Sequence, residues 1–299
     1  MLRLRAATAI AVVPFLAACG GADDDDAPSF AAALEQLPRL GADDFTVISW
    51  TDVAAAREAN GFDAVPDPAV DAAADLVVAM NGLADSSVVL APLDGYDAVT
   101  APAGVDNELG VGWTSADSIA SVTGAGSFNF YADDGDVEVD GAEPDGDLYR
   151  LDDDGPYGAV DGNRAVIASD AEQAQAWADD DASTLDGLAD VKQVAEAIDD
   201  ADALSGRIVD LGPRGILGIG WIDDDGDPAC VFVYAGFPGD ADDVRDDVEA
   251  GWSAVADRVE LDDVRTDGDL VVVRGHQVDD VTAPLRLLMS ATLPLPDAG

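Results

Sequence analysis

Apolar positions along this chain fall into two rhythms. The clearest helical one covers residues 240–258. There Val244, Val248, Trp252, Val255 and Val259 recur at spacings of four, four, three and four, which puts all five on one helix face. Weaker helical patterns cover 30–37, stopped by Pro38, and 52–59, with Thr51 as N-cap. Others cover 68–80 with Pro68 in the first turn, 171–179 behind Ser169-Asp170, 190–198 and 281–291. The second rhythm is short and strand-like. It marks 45–50, 127–132, 147–151, 157–160, 164–168, 207–211, 215–222, 229–237, 259–264 and 270–274. Asp161-Gly162-Asn163, residues 223–228 and Asp267-Gly268 separate neighbouring runs and predict hairpins. Residues 85–125 are weakly patterned. They offer a short strand at 88–90 and a loop or weak helix over 94–108.

This order predicts an α+β fold of antiparallel sheets with packed helices. Two blocks, 28–180 and 181–299, follow a similar sequence of elements: a helical opening, strands, then a helix. The expectation is therefore two similar lobes with a cleft between them.

The N-terminus has a different character. Arg3 and Arg5 precede an apolar stretch at 6–15, too short to span a bilayer, and Leu16-Ala17-Ala18-Cys19 follows. That layout resembles a bacterial lipoprotein signal, and residues 16–19 match its lipobox. The resemblance implies a signal peptide over 1–18, cleavage before Cys19, and a lipid on the Cys19 thiol. Residues 19–27 then form an acidic tether, because Asp23, Asp24, Asp25 and Asp26 repel one another and keep the chain extended. The expected location is extracytoplasmic, anchored to the outer face of the cell membrane by Cys19.

Two further stretches carry a resemblance. One is Leu37-Pro38 leading to Phe45-Thr46-Val47-Ile48-Ser49-Trp50-Thr51-Asp52-Val53. The other is Tyr149-Arg150-Leu151 followed by Tyr157-Gly158-Ala159-Val160-Asp161-Gly162-Asn163-Arg164. Both resemble segments of a group of uncharacterised secreted lipoproteins of high-G+C bacteria. The resemblance implies location and fold and carries no catalytic residue.

Charge narrows the partners. The 299 residues include 62 Asp and Glu against 14 Lys and Arg, a formal net charge of −48. Of the acids 53 are Asp, and Lys192 is the sole lysine. Nucleic acid is excluded as a partner, since phosphate contacts need a basic footprint. Attachment to an anionic membrane by charge is excluded likewise, leaving the lipid as the membrane contact. Asp-rich, Lys-poor surfaces suit concentrated brine, where self-repulsion is screened within roughly 3 Å at 1 M salt. The chain is therefore expected to be halophilic.

Chemistry is sparse. Beyond Cys19 the only cysteine is Cys230, inside an apolar strand run and read as packed and inert. His276, the sole histidine, reads as a strand-end residue; it cannot form a multi-histidine zinc site, and no Gly-x-Ser-x-Gly elbow accompanies it. Gly110-Val111-Gly112 and Gly218-Ile219-Gly220 lack the third glycine of a dinucleotide loop. Asp136, Glu138, Asp140, Gly141 and Asp147 fall at positions 1, 3, 5, 6 and 12 of an EF-hand-like frame, but Glu143, Pro144 and the Asp at position 12 spoil it. Trp50, Trp113, Trp221 and Tyr157 are cleft aromatics or, more simply, core. No metal ligand, cofactor or catalytic residue is assigned. The reading is a non-catalytic binding or envelope-structural lipoprotein. The alternatives are a solute-capturing lipoprotein for a transporter and a hydrolase using carboxylates or a bound metal.

Overall fold

A computed structural model describes residues 28–41, 45–60, 109–111, 116–139, 142–151, 155–278 and 281–296. Cys19, the tether, the helix expected over 68–80, the strand at 88–90, residues 94–108 and Trp113 lie outside them.

The strands are β1 Val47–Asp52, β2 Ser118–Thr123, β3 Ser127–Ala132, β4 Glu143–Asp145, β5 Leu148–Arg150, β6 Tyr157–Asp161 and β7 Arg164–Ala168. The rest are β8 Ser205–Asp210, β9 Ile216–Asp224, β10 Asp227–Ala235, β11 Val259–Asp267 and β12 Leu270–Gln277. They form one antiparallel sheet in the order β11-β12-β10-β9-β8-β1-β2-β3-β7-β6-β5-β4. The helices among the described residues are α1 Phe30–Ala33, α2 Val53–Ala59, α3 Ala171–Ala178, α4 Ala189–Asp199, α5 Ala241–Trp252 and α6 Ala283–Met289. The fold is thus mixed α+β and mostly sheet.

Helices cover both faces. On the first face Phe30 of α1, Ala174 of α3 and Val191, Val194 and Ile198 of α4 share a core with Ile48, Ala120, Val166, Ile208 and Val231. On the second, Val53 and Ala56 of α2, Val244, Val248 and Trp252 of α5 and Leu287 of α6 share one with Ile119, Tyr131, Trp221, Phe232 and Val273. A sheet covered on both sides buries alternate residues in both directions. That is why β9 and β10 read as continuous apolar runs. Two glycines admit the first-face helices closely: a Cβ on Gly218 would stand 2.4 Å from Val194 Cγ1 of α4, and one on Gly206 2.8 Å from Phe30 of α1.

The two blocks meet in the middle of the sheet. β1-β2-β3-β7-β6 on one side repeats the order β8-β9-β10-β12-β11 on the other. β1 and β8 pair antiparallel, with Val47 opposite Val209, Ser49 opposite Arg207 and Thr51 opposite Ser205. The strand order is thus symmetric about the Ser49–Arg207 pair. The junction of the two blocks is a ladder of backbone hydrogen bonds, so the sheet is continuous where a cleft was expected.

Several boundaries moved for local reasons. The helix expected over 30–37 stops at Ala33, and Glu35 N and Gln36 N donate three residues back in a turn. The cap of α2 is Asp52, whose carboxylate accepts from Ala55 N at 2.9 Å; Thr51 is a buried strand residue beside Ser205. α5 ends at Trp252, yet Val255 and Val259 stay buried because the chain turns back along the same core. Asp225 and Gly226, both at positive φ, make the whole β9–β10 turn, so the flanking aspartates join the strands. In the EF-hand-like frame Asp140 and Gly141 lie outside the described residues, and Asp147 sits with Gly146 in the β4–β5 turn. The sheet edges resist further pairing: β4 is three residues long with Pro144 at its centre, and β11 carries Glu260, Asp262, Asp263, Asp267 and a bulge.

Candidate functional site

A polar groove of about 300 Å³ opens on the first face. Three parts of the chain build it. The turn after α1 supplies Glu35 and Gln36, the β6–β7 hairpin supplies Asp161 and Arg164, and α3 with the turn behind it supplies Trp177, Asp180 and Thr184. The hairpin closes through Gly162 at φ +61 followed by Asn163, the pattern of a type II′ turn, so Asp161 and Arg164 stand opposite each other. Asp170 caps α3 by accepting from Glu172 N at 2.7 Å. A bridge between Pro38 and Thr184 ties the two walls, supported by Leu185 N donating to Leu37 O at 2.9 Å.

Arg164 and Trp177 organise the groove. The guanidinium lies 5.8 Å from the indole centroid and pairs with Asp161. Trp177 Nε1 donates to Gln36 Oε1 at 3.3 Å. The guanidinium is within cation–π range of the indole and stays half-exposed. Thr184 Oγ1 is engaged by Asp186 at 2.6 Å, and the remaining lining offers carboxylates, an amide and an aromatic face. Such a set can hydrogen-bond a ligand and pack an aromatic face against it.

The residues singled out in the sequence lie elsewhere. Cys230 is fully buried in β10, its thiol donating to Gly275 O at 3.5 Å, and burial pushes its pKa far up. It is an inert packed thiol. His276 sits one residue from the end of β12, as expected of a strand-end residue. Its Nδ1 lies 2.7 Å from Asp262 Oδ2, and its Nε2 lies 3.8 Å from Asp224, which holds Arg274 at 2.9 Å. Periodicity could not place Asp262 there, since the bulge at 261–263 turns its side chain toward His276. Trp50 and Trp221 are core, with Trp50 stacked on Phe30 and Trp221 Nε1 donating to Val281 O. Tyr157 is half-buried beside the first-face core. Trp177, the aromatic that does line a groove, was not among the residues singled out; its helix placed it on no recognisable motif.

Carboxylates gather at the ends of β1, β2 and β3. Asp117 has a raised pKa, chiefly from burial and then from Asp134, against the lowering effect of Arg57. Asp133 is raised by burial and by its hydrogen bond with Asp134, against the Gly135 amide. Among the described residues no three His, Cys, Asp or Glu side chains are spaced to hold a metal ion, and no helix is long and apolar enough to cross a membrane. Comparison with protein-family models, with curated proteins and with solved structures found no match for this chain.

Proposed function

We propose a lipid-anchored, extracytoplasmic binding protein of a halophile, with a non-catalytic role and two halves descended from one duplicated α+β unit. The Arg164–Trp177 groove carries the binding reading, because it joins a half-exposed guanidinium and an aromatic face in a concave polar site. The lipobox at 16–19 supports the location, and the likeness to secreted lipoproteins of high-G+C bacteria agrees with it. The repeated strand order about Ser49 and Arg207 supports the duplication. Capture of a solute for a transporter is the most specific form of this role.

A thermal-shift screen of ions and small solutes in 3 M salt tests the groove: a stabilising solute loses its effect in Trp177→Ala, and a solute that stabilises both proteins equally refutes the assignment. Cys19→Ala tests the anchor, with release from the membrane fraction as the expected result. A carboxylate-dependent hydrolase is the second reading, favoured by the Asp117, Asp133 and Asp134 cluster. It requires turnover that falls at least tenfold in Asp133→Asn.

A further inference from the structure

Carboxylates from three separate segments meet in the Arg164–Trp177 groove. Glu35 comes from the turn after α1, Asp161 from the β6–β7 hairpin and Asp180 from the turn behind α3. Arg164 is the one cation among the described lining residues, and Asp161 already pairs with it. Arg39 donates its Nε to Thr184 O at 3.3 Å and does not line the groove. Glu35 and Asp180 are exposed and have no ion-pair partner among the described residues. The groove also lies at the C-terminal end of α3, where unpaired carbonyls carry a negative partial charge. That end closes as a Schellman turn: Asp180, at φ +57, donates its N–H to Trp177 O, and Asp181 N donates to Ala176 O. The turn fixes where the Asp180 side chain leaves the backbone.

We propose that the groove takes a small organic amine, bound as its ammonium or guanidinium ion. This class rests on the groove being the protein's binding site. An anion would face Glu35, Asp180 and the α3 carbonyls while Arg164 is already engaged. A neutral solute gains nothing from the excess of negative charge. An ammonium meets two unpaired carboxylates, each an acceptor to which it donates directly. Direct donation matters in brine: at 1 M salt charge is screened within roughly 3 Å, so only contact pairs count. An inorganic cation makes contact pairs too, but it leaves the rest of a groove of about 300 Å³ to water. A carbon body fills that space against Ala178, Ala182 and the Trp177 indole. The chain already shows the arrangement once. Arg164, itself an organic cation, lies 5.8 Å from that indole with the Asp161 carboxylate at its head.

The test uses the full chain in 3 M KCl, so that an inorganic cation competes throughout. Putrescine, agmatine and cyclohexylamine are the amine probes, glucose the neutral one and succinate the anionic one. Binding is read by saturation-transfer NMR and by thermal unfolding. At least one amine should bind saturably and raise the melting temperature. Glu35→Gln and Asp180→Asn keep the shape of exposed side chains, so both should fold, and each should weaken that amine at least about threefold. Asp267→Asn, an equal loss of charge on the exposed edge of β11, should leave it unchanged. Arg164→Gln, which frees Asp161, should tighten it. Amine binding that Glu35→Gln and Asp180→Asn weaken no more than Asp267→Asn does is a diffuse pull of the acidic surface, and overturns the proposal. Absence of amine binding overturns it as well. If glucose or succinate then binds and is lost in Trp177→Ala, the groove stands and only its ligand class is wrong. If no probe binds, the groove falls with the class.

Discussion

The first face of the sheet ends differently on its two sides. Beyond β3, helix α3 lies across β6 and β7, and Ala174 seals the contact. Beyond β10, none of the described helices lies over Arg274 and His276 of β12 or over β11 on that face; Leu270 and Val272 of β12 still reach the first-face core, and α6 packs its Ala283 and Leu287 against the second face. The covered end is apolar beneath and holds the groove at its rim. The bare end is a charged lattice in which Asp224 holds Arg274, Asp263 holds Arg265, and Asp262 holds His276. The same strand order thus supports either a core or a solvated surface. What decides is where the next helix goes, and the strand side chains follow that choice.

Substitutions at the two ends should therefore differ most. Ala174→Asp puts an unpaired carboxylate under α3 and should cost about 3–5 kcal/mol, read as a lower urea midpoint in 3 M salt. A loss below about 1 kcal/mol would mean that α3 is not packed there. Gly218→Val drives a side chain into Val194 under α4, between the two ends, and should cost about 1–3 kcal/mol by the same measurement. Trp177→Ala loses the cation–π contact with Arg164 and the bond to Gln36, about 1–2 kcal/mol in all. At the bare end Arg274→Ala removes a surface pair with Asp224 and should cost no more than about 1 kcal/mol.

Acid should sharpen the contrast in an unusual direction. Asp199 reaches from α4 to accept from Phe30 N and Ala31 N, at 2.8 and 2.9 Å, yet burial outweighs those bonds and raises its pKa. Asp117 and Asp133 are raised as well, chiefly by burial. Each binds its proton more tightly in the folded chain than in the unfolded one. Their contribution is complete below the ordinary value of 3.8 and is lost as pH rises through the higher folded values. Melting temperature at constant 3 M salt should therefore rise as pH falls from 7 toward about 4, where most proteins weaken. Asp199→Asn should flatten that rise.

Much of this architecture could be read from the residues. Val244, Val248 and Trp252 announced α5, and Asp161-Gly162-Asn163 announced the hairpin that frames the groove, because both signals are local. β2 was missed. Its residues, Ser-Ile-Ala-Ser-Val-Thr, are all but one buried, and its second face carries the polar Ser121 and Thr123, so no alternation survives. The groove was missed for another reason. Gln36, Arg164 and Trp177 come from three separate segments, and only the Pro38–Thr184 bridge brings two of them together.

The pairing of β1 with β8 also sets an order of events. A chain made from its N-terminus finishes β1, β2 and β3 long before β8 exists, and Val47 must wait for Val209. Until then β1 is an open edge, although in the finished molecule it lies at the middle of the sheet. Unlike β4 and β11, it has neither proline nor a row of exposed acids to discourage a wrong partner. Joining the halves is a long-range step, slow by the measure of contact order, and the interval before it is when this chain is most open to pairing with a second copy of itself.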